Sequence, residues 1–303
     1  MLFPLVRGGR LKRESQLLQL LNNALKDFHR VEFLSSDPLE FVHHYSDPWD
    51  QEAVALLASV IAYGNVKQIR KSISAALGRM ENLGQTPSGF VRKLKSSAFR
   101  KQAHRAFDDW VHRFNIGSDI VYLFELVNRS WCEHGSVGAH FVSHLNPRDP
   151  DVGNALSAFI KEWNLWLNPD RAESFSYLLT SPEAGSCCKR WCMFLRWMGR
   201  KDDLDPGLWT KSGKLASTFP AGHFLRPDQL VMPLDTHTGR ISQSLGLTAR
   251  KSLNWKAAIE VTQALKKIDP KDPSRFDFAL CRVGMFGGTD TSQRGPVVDK
   301  RLN

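Results

Sequence analysis

No apolar run in the 303-residue chain approaches the roughly 18 residues that a membrane span requires. Met1-Leu2-Phe3-Pro4-Leu5-Val6 is broken by Arg7-Gly8-Gly9-Arg10 before a secretory core can build. Membrane insertion and secretion are therefore not expected. Cysteine is sparse and odd in number: Cys132, Cys187, Cys188, Cys192 and Cys281 include no Cys-x-x-Cys pair and no Cys/His spacing of a zinc or iron–sulfur site. Reduced thiols and a cytoplasmic location follow as expectations. Internal repeats are missing, and no segment alternates apolar and polar residues over more than a few positions, so an extended β architecture is not expected.

The chain has instead an excess of positive charge. With 41 basic and 31 acidic side chains it carries a formal +10, and its isoelectric point is near 9.5. Polyanions are the first partners to consider, because Lys and Arg displace counterions from phosphates whatever the base sequence. A basic surface with no such partner is the alternative on charge alone.

Apolar residues recur at helical spacing: Leu17, Leu18, Leu20, Leu21 and Leu25; Val54, Leu57, Ala58 and Ile61; Ile120, Leu123, Phe124 and Val127. Ser36-Asp37-Pro38 and Ser46-Asp47-Pro48 read as helix openings, and Asn254 as the cap of a helix over 255–267. An all-α fold is predicted over residues 1–286, with breaks at 84–88, 146–151 and 167–170 and a long polar insertion at 211–229. The tail 287–303 lacks periodicity and is expected to be disordered.

Two segments stand out chemically. In the first, Ser181-Pro182-Glu183-Ala184-Gly185-Ser186 leads through Cys187-Cys188 into the apolar helix that starts at Lys189-Arg190. The free N–H groups and positive dipole end of such a helix suit a phosphate and disfavour a charged ammonium in the first turn. With Arg190 beside it, Lys189 is a candidate nucleophile, since an amine must be neutral to attack carbon. Most first-turn lysines are solvated surface groups. The second segment, Pro233-Leu234-Asp235-Thr236-His237-Thr238-Gly239, places Asp235 between an apolar stretch and a helix start, where it can cap the following turn or face a cleft.

Taken in order, these motifs resemble the helix-hairpin-helix DNA glycosylases, the superfamily of endonuclease III and of the adenine and 8-oxoguanine glycosylases. The Pro/Gly hairpin, Lys189, Pro233-x-Asp235-x-His237, a helix over 240–245 and a closing pair over 255–267 and 276–285 follow the superfamily's sequence of parts. The chain also resembles an uncharacterised bacterial family with the signatures Lys189-Arg190-x-x-Met193-Phe194-Leu195-Arg196-Trp197-Met198 and Pro233-Leu234-Asp235-x-His237-Thr238-Gly239. Two residues more than the usual Gly-x-Lys separate Gly185 from Lys189, and a gap of 46 positions separates Lys189 from Asp235. In the first of these respects, and in Glu183 where a Gly commonly allows backbone approach to phosphate, the hairpin is similar to that of the archaeal 8-oxoguanine glycosylases.

The resemblance implies two helical subdomains flanking a cleft that receives a base flipped out of damaged double-stranded DNA. It implies Lys189 and Asp235 as catalytic residues, with Gly185, Ser186, Arg190 and Lys67 on DNA. Asn65 would enter the space left by the flipped base, with Tyr63 as a stacking or wedge residue, although Gly64-Asn65 also reads as a plain helix C-cap. Trp197, Met193 and His237 would line the substrate pocket, core packing being the ordinary role of aromatics at helical spacing. The implied activity is excision of an oxidised purine such as 8-oxoguanine with β-lyase cleavage, by a monomeric, nucleoid-associated enzyme without metal or cofactor. His43-His44 and His237 lack a carboxylate at ligand spacing. The alternatives are a monofunctional glycosylase for alkylated bases that uses Asp235 alone, and a non-catalytic binder of damaged nucleic acid. Lys201, the nearest rival lysine, is expected to pair with its neighbours Asp202 and Asp203.

Overall fold

The computed structural model describes residues 10–167 and 173–286, so the tail expected to be disordered and most of the expected break at 167–170 lie outside the described residues. The chain is mostly helical, as the apolar spacing requires. Helices α1 (Arg10–Phe28), α2 (Glu40–His43), α3 (Pro48–Val60), α4 (Val66–Asn82), α5 (Pro87–Lys93) and α6 (Ser97–Phe107) precede a short hairpin of β1 (Val111–His112) and β2 (Asn115–Ile116). Then come α7 (Gly117–His134), α8 (Val137–Ser143), α9 (Gly153–Trp166), α10 (Lys189–Gly199), α11 (Thr236–Ser244), α12 (Trp255–Lys266) and α13 (Asp277–Phe286). Among the described residues, no helix is long and apolar enough to cross a membrane.

Local chemistry sets the helix starts. Asp47 caps α3, its Oδ1 accepting from Trp49 N at 2.8 Å and Asp50 N at 3.1 Å, and Pro48 fills the first helical position without leaving an N–H unpaired. Thr86-Pro87 repeats this arrangement at α5, and Asn254 caps α12 through Ala257 N at 3.0 Å.

The centre of the protein is α3, where every residue from Ala53 to Val60 is fully buried. A helix apolar on all sides must be covered on all sides, and α10, α2 and α5 pack around it. Its fully buried charge is Glu52, which receives Trp131 Nε1 at 2.6 Å, Trp209 Nε1 at 2.7 Å, Val137 N at 3.1 Å and Gly138 N at 3.2 Å. Burial raises its pKa while these four donors oppose the rise. One carboxylate thus ties α3 to the uncompensated amides at the start of α8 and to two tryptophans.

The insertion at 211–229, read as polar from its sequence, is anchored by apolar side chains: Leu215, Phe219 and Leu225 are buried. Gly138 and Gly199 make room for it, since a Cβ on Gly138 would meet Phe219 Cζ at 2.6 Å and one on Gly199 would meet Leu225 Cδ2 at 2.7 Å. From there the buried extended stretch 230–234 runs across α12, with Met232 N donating to Thr262 Oγ1 at 3.0 Å, and delivers the chain to Asp235. Helix α13 packs on α11 and on α1. Between α3, α4 and α10 on one side and α11 and α13 on the other lies a cleft of about 390 Å³.

Candidate active site

Lys189 and Asp235, remote in sequence, both line this cleft, and Lys189 Nζ stands 3.8 Å from Asp235 Oδ2. Lys189 is the first residue of α10. It follows Cys188, whose backbone is left-handed (φ 48°), and α10 has no side-chain cap. That turn aims the lysine at the end of α3, where Nζ also donates to Ala62 O at 3.3 Å.

Asp235 is both cap and cleft group. Its Oδ1 accepts from His237 N and Thr238 N, each at 2.8 Å, and from Thr238 Oγ1 at 3.0 Å, while Asp235 N donates back to Thr238 Oγ1 at 2.7 Å. One oxygen is thereby committed to starting α11, and the other is left for Lys189. His237 contributes its backbone N–H to this turn, and its side chain is exposed at the cleft. Met193, one turn after Lys189 on α10, also lines the cleft.

Four charged residues of the cleft were not singled out in the sequence as site residues: Asp37, Arg196, Asp277 and Arg282. Arg196 Nη1 bonds Asp277 Oδ2 at 2.6 Å and its Nη2 bonds the buried Asp205 at 3.1 Å. Arg282 Nη2 bonds Phe33 O at 3.0 Å and lies 3.3 Å from Asp37 Oδ2. Burial raises the Asp277 carboxyl to about 6, against the attraction of Arg196, with the negative charge of Asp235 adding to the rise. Three carboxylates and three cations therefore share the cleft, and burial holds the Asp277 carboxyl above the usual carboxylate range.

Other expected site residues lie elsewhere. Arg190 does not face a phosphate: it is buried, bonding Val60 O at 2.5 Å and the carbonyl of Tyr177, with its guanidinium 5.0 Å from the ring centre of Tyr63 and 4.5 Å from that of Tyr177. The carbonyls at the end of α3 and at Tyr177 draw that side chain inward. Trp197 is fully buried in the core and does not reach the cleft. Asn65 is the N-cap of α4, its Oδ1 accepting from Lys67 N at 2.9 Å, and not a C-cap of α3; Asn65 and Lys67 are both exposed beside the cleft. Gly185 is exposed and left-handed (φ 75°) at the end of a 3-10 turn over Pro182–Ala184, and Ser186 Oγ accepts from Cys188 N at 3.1 Å. Lys201 lines a separate depression of about 820 Å³ with Lys211, His223 and Arg226 and with no carboxylate among its described lining residues. The expected partner Asp202 is taken by Arg200 and His29, each at 2.8 Å.

Tyr63 lines the cleft, but its ring face is already covered. Phe114 stacks on it at 5.4 Å and 18°, and its hydroxyl reaches His112 O at 3.1 Å and Asn115 Oδ1 at 2.5 Å. Burial pushes that hydroxyl up to about 12, so it stays a neutral donor. The exposed aromatic surface belongs to Phe114, at the tip of the β1–β2 hairpin, and to Tyr177, which are 51% and 41% exposed. Arg113 forms the hairpin turn (φ 56°) and packs against Gly64, where a Cβ would meet Arg113 Cδ at 2.9 Å. Two-residue strands give no alternating pattern, so the sequence carried no signal for this lip.

The fold and the cleft define an all-α protein in which a helix-start lysine meets a helix-capping aspartate. The chain belongs to DUF2400, a family described as a protein of unknown function, whose model matches residues 37–286. That span contains every residue that lines the cleft except Ser36. No curated protein and no solved structure matches the chain.

Proposed function

We propose that the protein is a DNA repair glycosylase of the helix-hairpin-helix type, which excises a damaged base, an oxidised purine by preference, and then cleaves the abasic site as a β-lyase. The observation that carries this reading is the approach of Lys189 Nζ to Asp235 Oδ2 at 3.8 Å inside a cleft. Its volume of about 390 Å³ falls in the range of roughly 300–1,000 Å³ usual for small-ligand pockets. Support also comes from the net charge of +10, from the uncapped start of α10, and from the exposed aromatic rings of Phe114 and Tyr177 next to Tyr63 at the cleft edge. Such rings can fill the stack when a base is turned out.

In this mechanism Asp235 takes a proton from the Lys189 ammonium, and the amine lone pair forms a bond to C1′. The glycosidic C–N bond breaks, and its electron pair leaves with the base, which is then protonated. The carboxylate stabilises positive charge that develops on the sugar in the transition state. Ring opening gives a protonated imine between Lys189 and C1′, with the proton moving to O4′. Loss of a C2′ proton then forms the C2′=C3′ bond and expels the 3′ phosphate. Borohydride trapping on duplexes that carry single lesions tests this sequence of steps. A covalent adduct supports lysine chemistry, excision without an adduct supports a monofunctional enzyme relying on Asp235, and binding without excision leaves a damaged-DNA binding protein.

A further inference from the structure

At the opposite side of α3's tryptophan partners, the ends of three helices bring three imidazoles and a carboxylate together. His134 closes α7, His140 lies on α8 with His144 as its C-cap, and Glu162 lies on α9. One ligand atom from each of His134, His140 and Glu162 falls within 4.8 Å of the others. His140 Nε2 is 3.5 Å from Glu162 Oε1, and His144 Nε2 is 3.0 Å from Glu162 Oε2. Both nitrogens are buried: His144 Nε2 is paired with the Glu162 carboxylate, whereas His140 Nε2 makes no hydrogen bond, and His140 is fully buried as a residue. A buried nitrogen left unpaired costs stability unless something fills its lone pair.

The surroundings orient the central ring. His140 Nδ1 is 3.0 Å from Ser130 Oγ, which also accepts from Trp163 Nε1 at 3.1 Å. In the tautomer that donates from Nδ1 to Ser130, His140 presents Nε2 as a lone pair toward Glu162, the arrangement by which an outer hydrogen bond fixes a metal-ligating histidine. Nitrogen donors with a single carboxylate suit a borderline divalent ion, whereas calcium and magnesium need a shell of oxygens.

We propose that His134, His140 and Glu162 form a binding site for a divalent transition metal ion of the zinc class, with His144 holding the second Glu162 oxygen, clamping α7, α8 and α9 together. Ligand atoms about 2.1 Å from one ion lie at most about 4.2 Å apart, so the group contracts slightly on binding. The rings of His134 and His140 stack in parallel at 4.1 Å and 11°, so binding requires the partly exposed His134 ring to turn until both in-plane lone pairs meet the ion. The site departs from the metal-free expectation, which weighed only His43, His44 and His237, and it does not depend on the glycosylase reading.

Untagged full-length protein, stripped with chelator and titrated with Co²⁺, tests the proposal. One equivalent of Co²⁺ is expected to produce saturable visible absorption of a four-coordinate nitrogen/oxygen site, displaced by Zn²⁺, and Zn²⁺ is expected to raise the melting temperature. Glu162→Gln should weaken Co²⁺ binding tenfold or more with an unchanged circular-dichroism spectrum, and His134→Gln, at a partly exposed position, provides the same readout if the first variant fails to fold. Absence of saturable Co²⁺ binding, or equal affinity in the folded variant, overturns the proposal and leaves a packed histidine–glutamate cluster.

Discussion

Asp235 Oδ1 accepts three hydrogen bonds from the first turn of α11, while its Oδ2 faces Lys189 Nζ at 3.8 Å. The same carboxyl group therefore fixes a helix and faces the cleft lysine, and its two roles can be separated. Asn caps a helix about as well as Asp, so Asp235→Asn is expected to retain α11 and to change stability by less than about 1 kcal/mol. In the proposed mechanism the carboxylate acts on charge present only in the transition state, so base release is expected to fall by a factor of 100 or more while binding to damaged duplex persists. Single-turnover excision at saturating enzyme, alongside a thermal melt, checks both halves.

The hairpin tip should contribute to binding rather than to folding. Phe114 is half exposed and covers one face of Tyr63, and stacking of a base on an aromatic side chain is worth about 1–3 kcal/mol. Phe114→Ala is expected to weaken affinity for a lesion-containing duplex by an amount in that range and to leave the salt dependence unchanged, since no phosphate contact is removed. Equilibrium binding across a salt series measures both quantities.

Asp277 gives a pH signature. Its carboxyl is raised to about 6 in the fold, whereas an unperturbed Asp lies near 3.9. Between those values the native state holds a proton that the unfolded chain has released, so the stability contributed by Asp277 is full below the unfolded pKa and is lost as pH rises through about 6. Asp277→Asn removes this dependence and replaces the charged bond to Arg196 with a neutral one at every pH. The stability of wild type relative to the variant is therefore expected to decline by roughly 2–3 kcal/mol from pH 4 to pH 7. Denaturant melts of the two proteins at matched pH give the difference.

Caps and periodicity made much of the fold legible. Asp47-Pro48 and Asn254 signal their helices with local chemistry, and Lys189 sits at a helix start as the Pro/Gly hairpin suggested. What could not be read depends on tertiary neighbours. Arg190 looks like a surface cation beside Lys189 until α3 and Tyr177 supply carbonyls that bury it. Asp277 and Arg196 look like solvated charges on separate helices, and only their packing makes them an ion pair in the cleft. The strands of the 111–116 hairpin are too short to alternate, and the histidines at 134, 140 and 144 meet Glu162 only because α7, α8 and α9 converge.

Borohydride trapping of the wild type and of Lys189→Gln on the same 8-oxoguanine duplex tests the central claim most directly. Among the described residues, Lys189 and Asp235 are the lysine–aspartate pair of the cleft, and Lys201 occupies a different depression. The wild type is expected to form a borohydride-stable covalent adduct and to cleave the strand. The Gln variant is expected to do neither while still binding DNA, and Lys201→Gln to behave as wild type. An adduct that survives Lys189→Gln and disappears in Lys201→Gln would contradict the account.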